Sequence, residues 1–360
     1  MQLEELIKQI KPLDDKAMQS ARARQDTLTK PQGSLGRLEE LSIQLAGITG
    51  KAIPTIKEKV IITMAGDHGV VAEGVSAYPQ EVTPQMVLNF LNGGAAINVL
   101  ARQVGARVVI EDKGDAHDIP TADEGTSRSK SDLQLIVRKI ACGTANISKG
   151  PAMTREQGTE AILAGVEIVE AEIARSLDIV GTGDMGIGNT TPSAAIACAL
   201  MNRHPKEIAG RGTGVDDEGL KRKIDAIERA LDVNKPNAND GLDVLGKVGG
   251  FEIGGLAGVM LGAAAYHKPV MVDGFISTAA AMIAVTIAPG CRDYLIAAHR
   301  SKEHGHGLML DWLGLNPLLD FDLRLGEGTG AALGISMAEA ACRILAEMAT
   351  FGEAGVSEKG

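Results

Sequence analysis

Residues 178–200, DIVGTGDMGIGNTTPSAAIACAL, constrain the fold more than any other stretch. A short apolar run passes through glycines at 181, 183, 186 and 188 and leaves through Thr190, Thr191 and Pro192 into an alanine-rich segment. That order predicts strand, loop and helix. Threonine is a good N-cap and proline is preorganised for a first helical turn, so the helix is expected to start at Thr191 or Pro192. The glycines permit positive φ and let backbone N–H groups approach an anion, while the helix start adds its positive end. Such a turn suits a phosphate; it also serves as a tight strand-to-helix connection with no ligand.

The chain alternates around this unit. A continuous apolar run at 60–64 suits a buried parallel strand, and further strands are expected at 107–111, 133–140, 269–272 and 294–298. Helical patterns cover 84–91, 95–103, 154–174, 218–231, 308–313 and 331–348; residues 249–255 lead into a small-residue helix to Ala265, and another helix lies behind the 269–272 strand. Strands alternating with helices imply an α/β fold, a doubly wound, mainly parallel Rossmann-like sheet. From residue 3 to about 50 the pattern is helical, broken at 30–36, with Ser34 as an expected cap. The expected organisation is a helical subdomain at 1–50 packing with the C-terminal helix, an α/β catalytic domain at 51–345 and a tail at 346–360. Residues 112–131 are polar and read as a surface loop.

Forty-four glycines and only 2% aromatics imply packing by small and aliphatic side chains. A net charge of −10 excludes the basic, aromatic-studded surface of a nucleic-acid binder, so any anion is caught locally. The N-terminal sequence lacks a basic region followed by an apolar core, and no apolar run reaches membrane-spanning length, which predicts a cytoplasmic protein. Cys142, Cys198, Cys291 and Cys342 form no CxxC pair and read as reduced thiols.

Several motifs could carry chemistry. Glu327 stands between two glycines in LRLGEGTGAAL, where desolvation would make it a better base; the competing reading is a cap for the helix at Ala331. Lys223 follows the glycine loop at 210–214 and either reaches a phosphate or is an exposed helix lysine. Asp67-His68 and Glu303-His304-Gly305-His306 offer metal ligands, but no third cluster has metal spacing. The GxGxxG at 181–186 lacks the acidic residue about twenty positions on that a dinucleotide site needs, and no Walker A ending or GxSxG elbow occurs.

KPQGSLGRLE at 30–39, AGDHGV at 65–70, SAYPQEVT at 76–83, GDMGIGNTTPSAA at 183–195, GRGTGVDD at 210–217, GGFEIGGLAG at 249–258, VDGFIS at 272–277, SKEHGHG at 301–307 and the 323–333 segment carry a resemblance. Together they are similar to the nicotinate-nucleotide:dimethylbenzimidazole phosphoribosyltransferase family of cobalamin biosynthesis, in the family's order. The resemblance implies attack of a benzimidazole nitrogen on ribose C1 of nicotinate mononucleotide, with Glu327 taking the N–H proton, and requires neither cofactor nor metal. It implies a phosphate site at Gly186, Ile187, Gly188, Asn189 and Lys223, with Ser301 near the nucleotide, and a base pocket of Tyr78, Gln85, Met185 and Leu325. Asp184 stands where the family commonly has glutamate and is a possible auxiliary group. A homodimer is implied too. Two rival readings are a nucleotide-cofactor oxidoreductase and a nucleotide carrier or sensor without turnover.

Overall fold

The computed structural model describes residues 2–115 and 134–357. Helices α1 (Leu3–Ile7), α2 (Asp15–Thr27) and α3 (Arg37–Thr49) precede β1 (Lys59–Gly66), α4 (Val82–Leu91), α5 (Ala96–Val104), β2 (Arg107–Gly114) and β3 (Gln134–Val137). Then come α6 (Arg155–Ile173), β4 (Ile179–Met185), α7 (Thr190–Met201), α8 (Pro205–Ile208), α9 (Asp217–Asn234), α10 (Gly241–Val248) and α11 (Phe251–Ala265). The chain continues with β5 (Val270–Val272), α12 (Phe275–Ile287), β6 (Leu295–Ala297), α13 (His306–Leu313), α14 (Thr329–Glu347) and α15 (Phe351–Ala354).

All strand pairs are parallel and the sheet order is β3-β2-β1-β4-β5-β6. The chain winds outward from β1 in one direction and, from β4, in the other, so a crevice is expected beyond the carboxyl ends of β1 and β4. Period-two alternation assigns the faces. Val60, Ile62 and Met64 of β1 join a cluster with α6, α7, α11 and α12, whereas Ile61 and Ala65 join another with α3, α4, α5 and α14. Ala17, Ala21, Ile43 and Ala46 pack α2 and α3 together with Leu345 of α14.

Several expectations are refined. β2 runs on to Gly114, so only residues from 115 onward leave the sheet, and the expected 112–131 loop lies outside the described residues from 116. Ser34 does not cap α3: Gly36 occupies the cap position, at a positive φ of 50°. Helix α7 starts at Thr190 after Asn189, whose side chain caps nothing because it is turned toward Asp184. The short helices α8, α10 and α15 are additions. Among the described residues no helix is long and apolar enough to cross a membrane.

Every residue of α11 is buried, and its glycines explain how. A Cβ at Gly258 would lie 1.9 Å from the Ile162 carbonyl oxygen, and one at Gly165 would lie 2.0 Å from that of Gly255. Helices α6 and α11 therefore touch backbone to backbone, which only hydrogen-sized side chains allow. Gly258→Ala is expected to lower stability by about 1–3 kcal/mol or more, because neither backbone can retreat; the midpoint of urea unfolding measures it.

Candidate active site

The turn after β4 presses on the end of β1: a Cβ at Gly186 would stand 2.3 Å from the Gly66 carbonyl oxygen. Thr83 Oγ1 accepts the Ile187 N–H at 3.1 Å, and Asn189 Nδ2 donates to Asp184 Oδ2 at 3.0 Å. Gly188 adopts φ 88°. Gly186, Ile187, Gly188 and Asn189, all buried, are thus held as one turn entering α7. Lys223 is not an exposed helix lysine. It is fully buried, and its Nζ donates to Thr190 Oγ1 at 2.7 Å and to the Gly210 carbonyl at 3.1 Å. Burial pushes its ammonium down to about 8, against the charge of Glu303.

Glu327 sits in the loop before α14, with φ 65° between Gly326 at 82° and Gly328 at 96°. The two glycines adopt this region freely, but a left-handed Glu327 is costly and persists only when the surroundings hold it. Two strands and the end of a third supply the restraint. The Glu327 N–H donates to the Asp184 carbonyl at 3.1 Å, Thr63 Oγ1 donates to the Glu327 carbonyl at 2.9 Å, and the Gly328 N–H donates to Asp273 Oδ2 at 3.3 Å. The loop can descend so far because β4 offers no side chain: a Cβ at Gly183 would lie 2.3 Å from the Glu327 carbonyl oxygen.

The Glu327 side chain is buried, and Oε2 accepts the Ile97 N–H of α5 at 3.2 Å. The expected alternative, a cap on α14, is filled instead by Asp273, which accepts the Ala331 N–H at 2.9 Å. Burial raises the Glu327 carboxyl above its usual range; the Ile97 amide opposes this and the Asp273 charge adds to it. Asp184 is raised well above the usual carboxylate range by burial and by Asp273, against the hydrogen bond from Asn189. Two carboxyl groups from neighbouring elements thus favour uptake of a proton at the switch point of the sheet.

A cleft of about 90 Å³ opens here, lined by Asp184, Asn189, Thr213, His299, Ser301 and Leu325, among others. It adjoins a cavity of about 530 Å³ that shares Glu303 and Arg324 with it and is ringed by Lys206, Arg211 and Lys302. Arg324 Nη1 donates to the Gly212 carbonyl at 3.1 Å, tying the loop before Glu327 to the 210–214 loop. A groove of about 700 Å³ along α6 contains none of these residues.

The expected base-binding residues are less uniform. Tyr78 and Leu325 are 54% and 58% exposed, and Met185 is half-buried. Gln85 is exposed on α4, while its neighbour Met86 turns inward and packs, like Met185, against the cluster on that face of the sheet. The histidine motifs serve structure. His306 Nδ1 accepts the Ser301 N–H at 2.8 Å, its Nε2 lies 2.8 Å from Thr278 Oγ1, and burial pushes it down to about 3. Among the described residues no three His, Cys, Asp or Glu side chains could hold a metal ion.

A sequence model of the phosphoribosyltransferase family matches residues 10–356. The nicotinate-nucleotide–dimethylbenzimidazole phosphoribosyltransferase of Roseiflexus sp. (strain RS-1) is 60% identical, covering 99% of this chain and 98% of that protein. The enzyme of the same name from Chloroflexus aggregans is 57% identical over the same shares. The chain belongs to the nicotinate-nucleotide–dimethylbenzimidazole phosphoribosyltransferase family. Among solved structures, CobT from Thermus thermophilus superposes with a TM-score of 0.89 at 47% identity, covering 96% of this chain and all of that one.

The residues that the sequence did not single out in this phosphoribosyltransferase site are Asp273, Glu252, Thr83 and His299. Glu252 carried the signal that marked Glu327, a lone acid in a glycine-rich apolar segment, GGFEIGG. Its Oε1 lies 2.9 Å from His68 Nε2, and both side chains are buried. Burial lowers the His68 imidazole, but the charge and hydrogen bond of Glu252 outweigh it and the net shift is upward. A folded-state value above the ordinary 6.5 means that this pair stabilises fully below pH 6.5 and less as pH rises through the folded value. Glu252→Gln is therefore expected to cost about 3–5 kcal/mol in acid. Its deficit against wild type should narrow toward alkaline pH, as parallel denaturant titrations at several pH values will read.

Proposed function

We propose that this phosphoribosyltransferase moves the 5-phosphoribosyl group of nicotinate mononucleotide to 5,6-dimethylbenzimidazole, yielding α-ribazole 5′-phosphate and nicotinate for the lower ligand of cobalamin. The observation that carries this reading is the burial of Glu327 at the switch point, with its proton affinity raised, beside the glycine turn that enters α7. One azole nitrogen forms the new bond to ribose C1 as the bond to the pyridinium nitrogen breaks. The leaving nicotinate keeps the bonding pair and its positive charge is discharged. The azole N–H proton passes to Glu327 as charge develops on the ring. Attack from the face opposite the leaving group inverts the centre from β to α. The pyridinium is a good leaving group before any protonation, so the scheme needs only a base and two positioned reactants.

The N-terminal amides of the 186–189 turn and the Lys223 ammonium supply charge for the 5′-phosphate, with Ser301 beside the nucleotide. Asp184, next to the Glu327 backbone, serves as an auxiliary carboxyl. Tyr78, Met185 and Leu325 offer apolar surface for the incoming base, and Gln85, exposed on α4, offers an amide to its polar edge. The reading carries with it a cytoplasmic homodimer with the helical 1–50 segment as a subdomain.

Incubating the protein with nicotinate mononucleotide and dimethylbenzimidazole is expected to release nicotinate, whereas a carrier would leave both compounds intact. Glu327→Gln should lower kcat roughly 10²- to 10⁴-fold with little change in melting temperature. Near-normal turnover would sink the assigned base. Lys223→Ala should raise KM for the nucleotide more than for the azole. Because the Lys223 ammonium is lost above pH about 8, wild-type nucleotide affinity should fall as pH rises through that value, and the variant should lose this dependence; calorimetric titration of the nucleotide reads both.

A further inference from the structure

The carboxylate of Asp273 lies where the carboxyl end of β5 meets the start of α14, 1% exposed. Its two oxygens are both engaged by that segment: Oδ2 accepts the Gly328 N–H and Oδ1 the Ala331 N–H. Its own N–H donates to Thr182 Oγ1 of β4 at 3.2 Å, so the side chain is anchored from the sheet. We propose that Asp273 is a positioning residue for Glu327: its carboxylate holds Gly328 and the first turn of α14, fixing the left-handed loop that aims the base. This rests on the reading of Glu327 as the base.

Holding is half of the role. Burial raises the proton affinity of Asp273, while His299 and the backbone amides of the α14 start oppose that rise; when ionised, it places like charge near a carboxyl that must accept a proton, which favours the protonated form there. The groups facing Glu327 are Asp273 just after β5, Asp184 from β4 and the Ile97 amide from α5. Asp273 in turn faces His299 Nε2 at 3.8 Å beyond β6, and Asp184 faces Glu252 from α11. The first two carboxylates and the amide act on the base in opposite senses. Removing the Asp273 charge leaves the amide, which favours the ionised base, less opposed.

The test is a kinetic double-variant cycle on the full chain, with nicotinate release from nicotinate mononucleotide and dimethylbenzimidazole as the readout. Asp273→Asn should lower kcat about tenfold or more while KM for the nucleotide stays within about threefold. The acid limb of its kcat profile should move about half a unit or more to lower pH. Combined with Glu327→Gln, it should cost no more than Glu327→Gln alone, because both act through one group. Should Asp273→Asn melt too low to assay at the usual temperature, kcat and its pH profile are read at a lower one against wild type. An unmoved acid limb with unchanged kcat overturns the proposal, as does a double variant whose loss is the product of the two single losses. Full turnover in Glu327→Gln alone would instead remove the base on which the proposal rests, a result distinguishable from the other two.

Discussion

The backbone of the loop before α14 rests on the backbone of β4 at Gly183, and the rest of the site depends on that contact. Any side chain at 183 would meet the Glu327 carbonyl. With the loop seated, Thr63 of β1, the Asp184 carbonyl of β4 and Asp273 at the exit of β5 each reach it, so two strands and the end of a third converge on one short stretch of backbone. The left-handed φ at Glu327 is the geometric consequence. A carboxylate that would otherwise swing toward solvent is turned inward to the first turn of α5.

Electrostatics at this end of the sheet are set by competition between desolvation and a few directed donors. Asp273 receives two backbone amides, Glu327 one, Asp184 a side-chain amide and Glu252 an imidazole. For Asp184 and Glu327 the donors do not offset burial and neighbouring charge, and both shift upward. Lys223 is displaced in the other direction by the same cause, loss of water. Acid and cation are thereby brought closer in proton affinity than either would be on the surface, while the protein remains negatively charged as a whole.

Much of this was readable from sequence, for reasons specific to each element. Parallel strands buried on both faces write themselves as unbroken apolar runs, so β1, β2, β4, β5 and β6 lie within a few residues of expectation. Glu327 was legible as an acid in apolar company, and the 186–189 turn as glycines before a helix. Strand order was not, because pairing across the sheet is a long-range property. Nor was the partnership of Asp273 with α14, which joins residues 55 to 58 positions apart. Gln85 was legible only through the family resemblance, because nothing in the apolar pattern of α4 distinguishes it from its neighbours. The choice between a helix cap and a base at Glu327 required knowing that another acid already caps α14.

Helix α11 has a consequence for how the molecule comes into being. Its fifteen residues are enclosed by α6 and by β1, β2 and β4, all made before it, and by α12 and β5, made after it. As the nascent chain leaves the ribosome, one side of this glycine-rich apolar rod finds its seat at once, and the other stays bare until β5 and α12, which follow directly, have emerged. The polypeptide thus passes through a stage at which a helix wholly buried in the finished fold is partly uncovered, and the passage is closed by the β5-to-α12 segment that bears the aspartate at 273.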